Sequence, residues 1–569
     1  MKKYGLLALL YLFFGFFLIY PLFTILQGAF WVQSVKEGEV VTRLSLEYFE
    51  LIFSNPFYRD CFLNSIAIAG WTTAICLVLS LPLANLFLRW DFPLKFFWSS
   101  AILMPLILPP FVGAIGLKQI FARFGSLNLL LAELGIVDLQ HPPDWLGEGG
   151  FAGIIILEVL HLYPIMFLSV QAAMANVDPS LRDAARNLGA GGLRIFRTVT
   201  VPLATPGIFS GCAIVFVFAF TDLGVPLMFD FQTTVPTQIF NLVTQSDNPI
   251  GYALVVLALV VVTIFFVLGK RLGEGNYAMM ARSASYDDIK RFSPLMGWIV
   301  TGLVGLVIFI SILPHLGVVI NSFSQRWFMN VLPQEWTVAN YAEIFSMHMT
   351  AMSVKNSLQY ALFSSLLDLI LGVIIAYLLV RQQFKGKIVL DVLSMLPLAL
   401  PGLVTAFAYY VAFTRPPFDG VEWLDPRQNP TLLLVIAYAV HRLPYIVRAA
   451  VAGLQQTSVT LEEASANLGA KPLTTLWRIT LPLIYANLIA GTIMTFSFAM
   501  LDVSKGMILA QETPFYPITK AIYALLGRII PAAPAIACAM GVLAMILLAI
   551  CLGLASKILG QKMGQLFKS

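Results

Sequence analysis

AARNLGAGGLRIFRTVTVPL at residues 184–203 and ASANLGAKPLTTLWRITLPL at residues 464–483 are two versions of one segment, 280 positions apart. The same offset links His161-Leu-Tyr-Pro164 to His441-Arg-Leu-Pro444. It also links Phe216-Val-Phe218 with Asp222 to Phe496-Ser-Phe498 with Asp502. Further upstream the offset becomes 292. Asn64-Ser65 pairs with Asn356-Ser357, and Pro105-Leu-Ile-Leu-Pro109 with Pro397-Leu-Ala-Leu-Pro401. The change of 12 falls between Pro109 and His161, so the loop at 122–150 is longer than its partner at 414–430. The chain is therefore expected to be one unit written twice, over 1–285 and 286–569, with cores near 60–270 and 352–556.

Composition says where such a unit lives. Hydrophobic residues make up 59% of the chain and charged residues 11%, against about 25% charged in a soluble protein. Tyr4 to Val35, Cys61 to Leu88 and Ile529 to Ser556 carry no Asp, Glu, Lys or Arg. Each exceeds the roughly 20 residues that a helix needs to cross a bilayer. Hydrocarbon offers backbone groups no partner, so these segments must be helices. About twelve spans are expected, near 5–30, 62–88, 96–121, 151–175, 205–226 and 251–269, then 295–320, 356–380, 388–413, 431–452, 483–504 and 532–556. The fold class is an all-α membrane protein of two six-helix repeats. Six is even, so the repeats insert the same way round, as parallel repeats.

With both termini on the cytoplasmic side, inner segments hold 21 of the 35 basic residues. This is the bias that sets orientation. Lys2 and Lys3 followed by an apolar run resemble a secretory leader, but the run is too long and lacks a small-x-small cleavage site. It is expected to stay as the first helix. Five scattered cysteines without a CxxC pair read as packing residues. No basic tract points to nucleic acid.

Both copies of the repeated segment open with a short helix in a cytoplasmic loop. Asp178 suits the N-cap and Pro179 the first helical position, and Gly189 suits the left-handed stop. Ser458, the acidic pair Glu462 and Glu463, and Gly469 repeat the design. A helix of about ten residues is marginal alone in water, so it needs a partner surface. Ala184, Ala185, Ala464 and Ala466 keep it slim enough for a groove.

These loops resemble the EAA loop of binding-protein-dependent ABC importer permeases. That pattern is Glu-Ala-Ala, then Gly four residues on, then Ile-x-Leu-Pro. The second loop has Glu463-Ala464-Ser465, Gly469 and Ile479-Thr480-Leu481-Pro482. The first has Asp183-Ala184-Ala185, Gly189 and Val199-Thr200-Val201-Pro202. The resemblance spans nearly the whole chain as two MetI-like units, and the fused architecture is most similar to ferric-iron and phosphonate-type permeases. It implies a permease subunit, itself no enzyme, in a bacterial cytoplasmic membrane. It also implies two copies of a separate ATPase subunit seated on the loops, with ATP and Mg bound there. A solute-binding protein would dock outside. This chain has no GxxxxGK[ST] loop; Gly269-Lys270 is followed by Arg271. No cofactor or metal site is expected in it.

Ionisable groups inside spans are candidates for the substrate pathway. Glu158 is one, and the repeat-related Asp222 and Asp502 are two more, read either as lining the pathway or as capping a helix end. Pro109 and Pro401, which break the middle span of each half, join them. His161 and His441 read better as partners of backbone freed by prolines. Ferric iron is the expected cargo by resemblance alone. Phosphonate, polyamine or another small solute are the alternatives. An ion-coupled secondary carrier would use Glu158 and Asp368 but leaves the paired loops unexplained. A membrane enzyme would need a nucleophile or metal constellation, which the sequence lacks.

Overall fold

The computed structural model describes residues 2–36, 39–243, 248–273 and 290–559. The expected boundary at 285/286, with the inner basic residues Arg282, Lys562 and Lys568, lies outside them.

The first half contains α1 (Tyr4–Phe30), α2 (Pro56–Arg89), α3 (Lys95–Leu106), α4 (Pro110–Phe121), α5 (Phe151–Ala175), α6 (Pro179–Asn187), α7 (Gly192–Thr221), α8 (Gly224–Met228), α9 (Val235–Val243) and α10 (Pro249–Gly269). The second half repeats them in order. These are α11 (Pro294–Ser322), α12 (His348–Arg381), α13 (Lys387–Ala399), α14 (Gly402–Phe413), α15 (Thr431–Gln456), α16 (Thr460–Asn467), α17 (Pro472–Met500), α18 (Ser504–Leu509), α19 (Ile518–Leu526) and α20 (Ala533–Ala555). Each of these ten helices thus has its counterpart ten places on; of the remaining short helices, Glu47–Ser54 matches Ala339–Ser346, while Ser126–Glu133 lies in the longer loop of the first half.

Among the described residues ten helices are straight enough and apolar enough to cross a membrane, and twelve crossings result when each bent pair counts as one. The bent pairs are the expected spans 96–121 and 388–413. Lys95–Leu106 and Pro110–Glu133 meet at 98°, and Lys387–Ala399 and Gly402–Phe413 at 105°. Proline is the cause: Pro109 and Pro401 lack a donor and sit in extended backbone, as the N-caps of α4 and α14.

Short helices inside a membrane protein leave orphan donors at their starts. The repeat-related Asn-Ser pairs on α2 and α12 meet that need. Ser65 Oγ accepts from Val235 N at 2.9 Å, and Ser357 Oγ from Ile518 N at 2.7 Å. Asn64 Nδ2 donates to Thr233 O at 3.1 Å, and Asn356 Nδ2 to Pro514 O at 2.8 Å and Tyr516 O at 3.1 Å. The pairs therefore seat α9 and α19, which explains why both copies carry them.

The halves interlock through their first helices. Helix α1 packs on α14 of the other half. Tyr409 hydroxyl donates to Phe17 O, and the Phe16 and Tyr20 rings lie 5.6 and 6.3 Å from that of Phe413. The N-terminal apolar segment is thus a packed helix, as expected. Reciprocally, α11 crosses α4 so closely that backbones touch. A Cβ on Gly116 would lie 2.2 Å from Pro314 O, and one on Gly317 would lie 2.7 Å from Gly116 O. Small residues are what allow such crossings in membranes. The extra length of the 122–150 loop is folded, with Trp145 Nε1 donating to Asn128 Oδ1 at 2.7 Å.

Gly116→Val is expected to lower thermal stability in detergent by about 1–3 kcal/mol, the usual cost of overpacking. Gly302→Ala on α11, where a Cβ meets nothing within 4 Å, is the matched control and should leave the melting temperature unchanged.

Candidate functional site: two loop helices and two buried charge clusters

Helix α6 starts as its sequence demands. Asp178 accepts from Ser180 N at 2.8 Å, with Pro179 in the first turn. Its end is a Schellman turn. Gly189 N donates to Arg186 O at 2.9 Å, Ala190 N to Ala185 O at 3.0 Å, and Gly189 has φ +82°. Helix α16 ends the same way. Gly469 N bonds Ala466 O at 2.9 Å, Ala470 N bonds Ser465 O at 3.1 Å, and φ at Gly469 is again +82°. A Cβ would meet nothing within 4 Å at either glycine, so the requirement is conformational rather than steric. The helices hold nine and eight residues, close to the expected ten. The N-cap of α16 is Val459 rather than the expected Ser458, whose Oγ accepts from Thr460 N at 3.3 Å from one residue further out.

Both helices leave apolar surface in the open. Leu188 and Leu468, one residue before each glycine, are 88% and 89% exposed. Asp183, Ala184, Glu463 and Ala464 are exposed beside them, while Ser465 is buried against Thr475 Oγ1 at 2.9 Å. Beyond each loop the chain enters its span through one wide, π-helical turn, Phe196–Thr200 and Leu476–Thr480. Pro202 and Pro482 follow two residues later. The wide turn takes up the distortion of a proline that cannot donate within the helix.

The sequence reading missed the anchors that hold these helices. In the second half Arg381, the last residue of α12, bonds Glu462 Oε1 at 3.1 Å and Thr457 Oγ1 at 2.9 Å, and Thr480 Oγ1 donates to Glu462 at 3.2 Å. The pair is largely buried, at 8% and 14% exposure. In the first half Arg89 Nη2 donates straight to Thr200 Oγ1 at 2.6 Å. Arg182 stands where the second half has Glu462. The available signal was that Arg89 and Arg381 are themselves repeat-related, each ending a span.

The intramembrane candidates divide into two unlike clusters. Asp222 caps α8 through Val225 N at 2.7 Å, and Asp502 caps α18 through Lys505 N at 3.0 Å. The far ends are served by lysines: Lys118 Nζ donates to Met228 O at 2.6 Å and Lys520 Nζ to Met507 O at 2.8 Å. Carboxylate at the start and ammonium at the end both complement the helix dipole. The two short helices meet between the halves, where a Cβ on Gly224 would lie 3.4 Å from Val503 Cγ1.

Around the aspartates the halves diverge. In the first, Glu158 is buried and its Oε1 has no hydrogen-bond partner among the described residues, and no cation is paired with Asp222 among them. In the second, Asp502 Oδ2 receives Arg442 Nη2 and Lys505 Nζ, both at 2.8 Å. Tyr438 replaces Glu158, and Leu162 and Val225 stand where Arg442 and Lys505 do. Pro109 and Pro401 lie at the helix breaks and not within either cluster. His161 Nδ1 meets Pro105 O at 3.0 Å, the backbone role expected of it, while among the described residues His441 Nδ1 has no partner. Among the described residues no three His, Cys, Asp or Glu side chains gather as a metal cage.

Comparison with known proteins bears on this arrangement. The model of the family described as "Binding-protein-dependent transport system inner membrane component" matches residues 76–275 and 368–565. The "Ferric transport system permease protein FbpB" of Actinobacillus pleuropneumoniae is 27% identical over 511 residues, spanning 88% of this chain and 70% of that protein. The "Putative ferric transport system permease protein FbpB 1" of Haemophilus influenzae is 27% identical over 515 residues, with 88% and 77% covered. A solved bacterial ABC transporter involved in import of the polysaccharide alginate is 17% identical and covers 48% of this chain and 95% of that one, with a TM-score of 0.38. The two family matches cover more than half of the chain and fall one in each repeat, so this chain belongs to the binding-protein-dependent transport system inner membrane components, as a fused two-half ABC importer permease.

Proposed function

We propose that α6 and α16 are coupling helices, each seated in a cleft of one of two copies of a separate ATPase subunit, with ATP and Mg bound there. The carrying observation is the pair of identical Schellman-ended helices, each presenting one leucine almost wholly to solvent, Leu188 and Leu468. An exposed leucine next to a rigid helix stop suits insertion into an apolar socket. The coupling residues are Asp183, Ala184, Ala185, Gly189 and Pro202 in the first half, and Glu463, Ala464, Ser465, Gly469 and Pro482 in the second. The units run over 1–285 and 286–569, and both termini face the cytoplasm.

Closure of the ATPase pair would draw the two helices together and tilt the spans that follow them. ATP can drive this only by binding one state better than the other. The pathway would run between the halves where α8 meets α18, past Asp222, Asp502 and Glu158 and the broken helices at Pro109 and Pro401. Selection is delegated to an extracytoplasmic solute-binding protein. Two relatives named for ferric transport, each matched over most of this chain, support ferric iron as the cargo.

The chain is expected to copurify with an ATPase subunit and to take up ferric iron from its loaded binding protein only while ATP is hydrolysed. Ion-gradient-driven uptake by the purified chain alone would refute the reading. Proline cannot adopt the φ of +82° found at Gly189. Gly189→Pro, and Glu463→Arg on the exposed face of α16, should each leave ATP hydrolysis running while transport falls about tenfold or more. Normal transport by both variants would reduce the loops to connectors.

A further inference from the structure

We propose that Asp368 is a positioning residue of the transport cycle: the second acceptor to which the Arg442 guanidinium moves when the second coupling helix is displaced. This rests on the permease reading above.

The second half buries four charged side chains together, from four places in its fold. Asp368 lies on α12 and Arg442 on α15, while Asp502 caps α18 and Lys505 lies within it. Two are acids and two are cations, so the cluster is neutral when all four are ionised. Its bonds are nonetheless uneven. Asp502 holds both cations at 2.8 Å and also caps a helix. Asp368 is 1% exposed, and among the described residues neither of its carboxyl oxygens has a hydrogen-bond partner. One helical turn further along, α12 and α15 are in tight contact, a Cβ on Gly372 lying 2.5 Å from Ile446 Cγ2, so Asp368 and Arg442 sit at the same register of that contact, and Arg442 Nε has no partner either among the described residues.

A buried carboxylate without a partner is costly, and a buried ion pair recovers much of that cost. If Arg442 swings to Asp368, Asp502 still keeps Lys505 Nζ and the Lys505 backbone N–H. Each acid then has one cation. An arginine with two acceptors to choose between is the kind of two-state element that couples distant sites in a packed protein.

The same helix reaches the ATPase side. Asp368 and Arg381 are 13 residues apart on α12 (381 − 368), about 20 Å along its axis. Arg381 grips Glu462 and Thr457, so displacement of α16 pulls on α12. The path then runs from α16 through α12 and Arg442 to Asp502 at the start of α18, where the halves meet. The first half cannot do this. Cys76, Leu162 and Val225 occupy the places of Asp368, Arg442 and Lys505, and Arg182 that of Glu462.

The test uses the full chain with its ATPase and cognate binding protein in proteoliposomes. Its readout is stimulation of ATP hydrolysis by the binding protein, which does not depend on the cargo's identity. Asp368→Asn keeps the shape and removes the charge. The proposal expects it to be as thermally stable as wild type, yet to lose stimulation by about 5–150-fold, the range of ordinary coupling energies. Asp368→Glu should recover most of the stimulation, and Cys76→Ser should stay within about twofold of wild type, far inside that coupling range. Full stimulation in Asp368→Asn would overturn the proposal. So would a loss shared by Asp368→Glu and accompanied by a lower melting temperature, which marks a purely structural acid. Absence of stimulation in the wild type would instead bring down the permease reading, and the proposal with it.

Discussion

Hydrocarbon accepts no hydrogen bonds, and the features of this fold that position its site follow from that constraint. Straight spans satisfy it by themselves. The two bent spans and the four short helices cannot, because each break frees donors or acceptors within the membrane layer. The protein meets the need side chain by side chain. Ser65 and Ser357 take the first donors of α9 and α19, Asp222 and Asp502 those of α8 and α18, and Lys118 and Lys520 serve the opposite ends of α8 and α18. His161 takes the carbonyl freed near the Pro109 break. Irregular backbone at membrane depth is tolerated only where protein or a cavity surrounds it. These caps therefore lie where the halves meet and where α8 faces α18.

Much of this was legible because its causes are local. A Schellman stop needs a glycine and a few preceding residues, and the same letters at 184–203 and 464–483 announce the same turn twice. The Asn-Ser pairs were visible as repeats, although not what they held. The breaks at Pro109 and Pro401 were legible, but their angles of 98° and 105° were not. Hydropathy records that 96–121 and 388–413 are apolar, while direction depends on how α4 and α14 pack after the proline. The Arg381–Glu462 pair joins residues 81 positions apart, beyond any local pattern. The exchange of first helices between halves was hidden for the same reason, since it turns on glycines at 116 and 317 meeting in space.

Comparing the halves separates what the architecture requires from what it permits to vary. Capping residues agree: Asn64 with Asn356, Ser65 with Ser357, Asp222 with Asp502, Gly189 with Gly469. Each serves a backbone group that both copies must satisfy. The charges around those caps do not agree. Glu158 faces Tyr438, Leu162 faces Arg442, Val225 faces Lys505 and Arg182 faces Glu462 across the repeat. Loss of a cap leaves an unpaired group in either half, whereas the charges around the caps differ between the halves without altering that backbone role.

Fusion of the two units is what makes that freedom possible. In a symmetric dimer of identical halves, every residue near the axis meets its own copy, so any charge placed there is doubled. Helices α8 and α18 approach within van der Waals reach at Gly224 and Val503, and Lys505 lies two residues from that contact. Two copies of the second-half cluster beside one midline would crowd four cations and four acids into one low-dielectric layer. With the halves on one chain, position 225 is free to be valine and position 162 leucine. One side then carries the ion pairs and the other the acids Glu158 and Asp222. The asymmetry extends to the two loop helices, where α6 carries Arg182 and Arg186 and α16 carries Glu462 and Glu463. The two helices share one backbone design and differ in charge, but only the acidic one is bound by an ion pair to the long helix behind it.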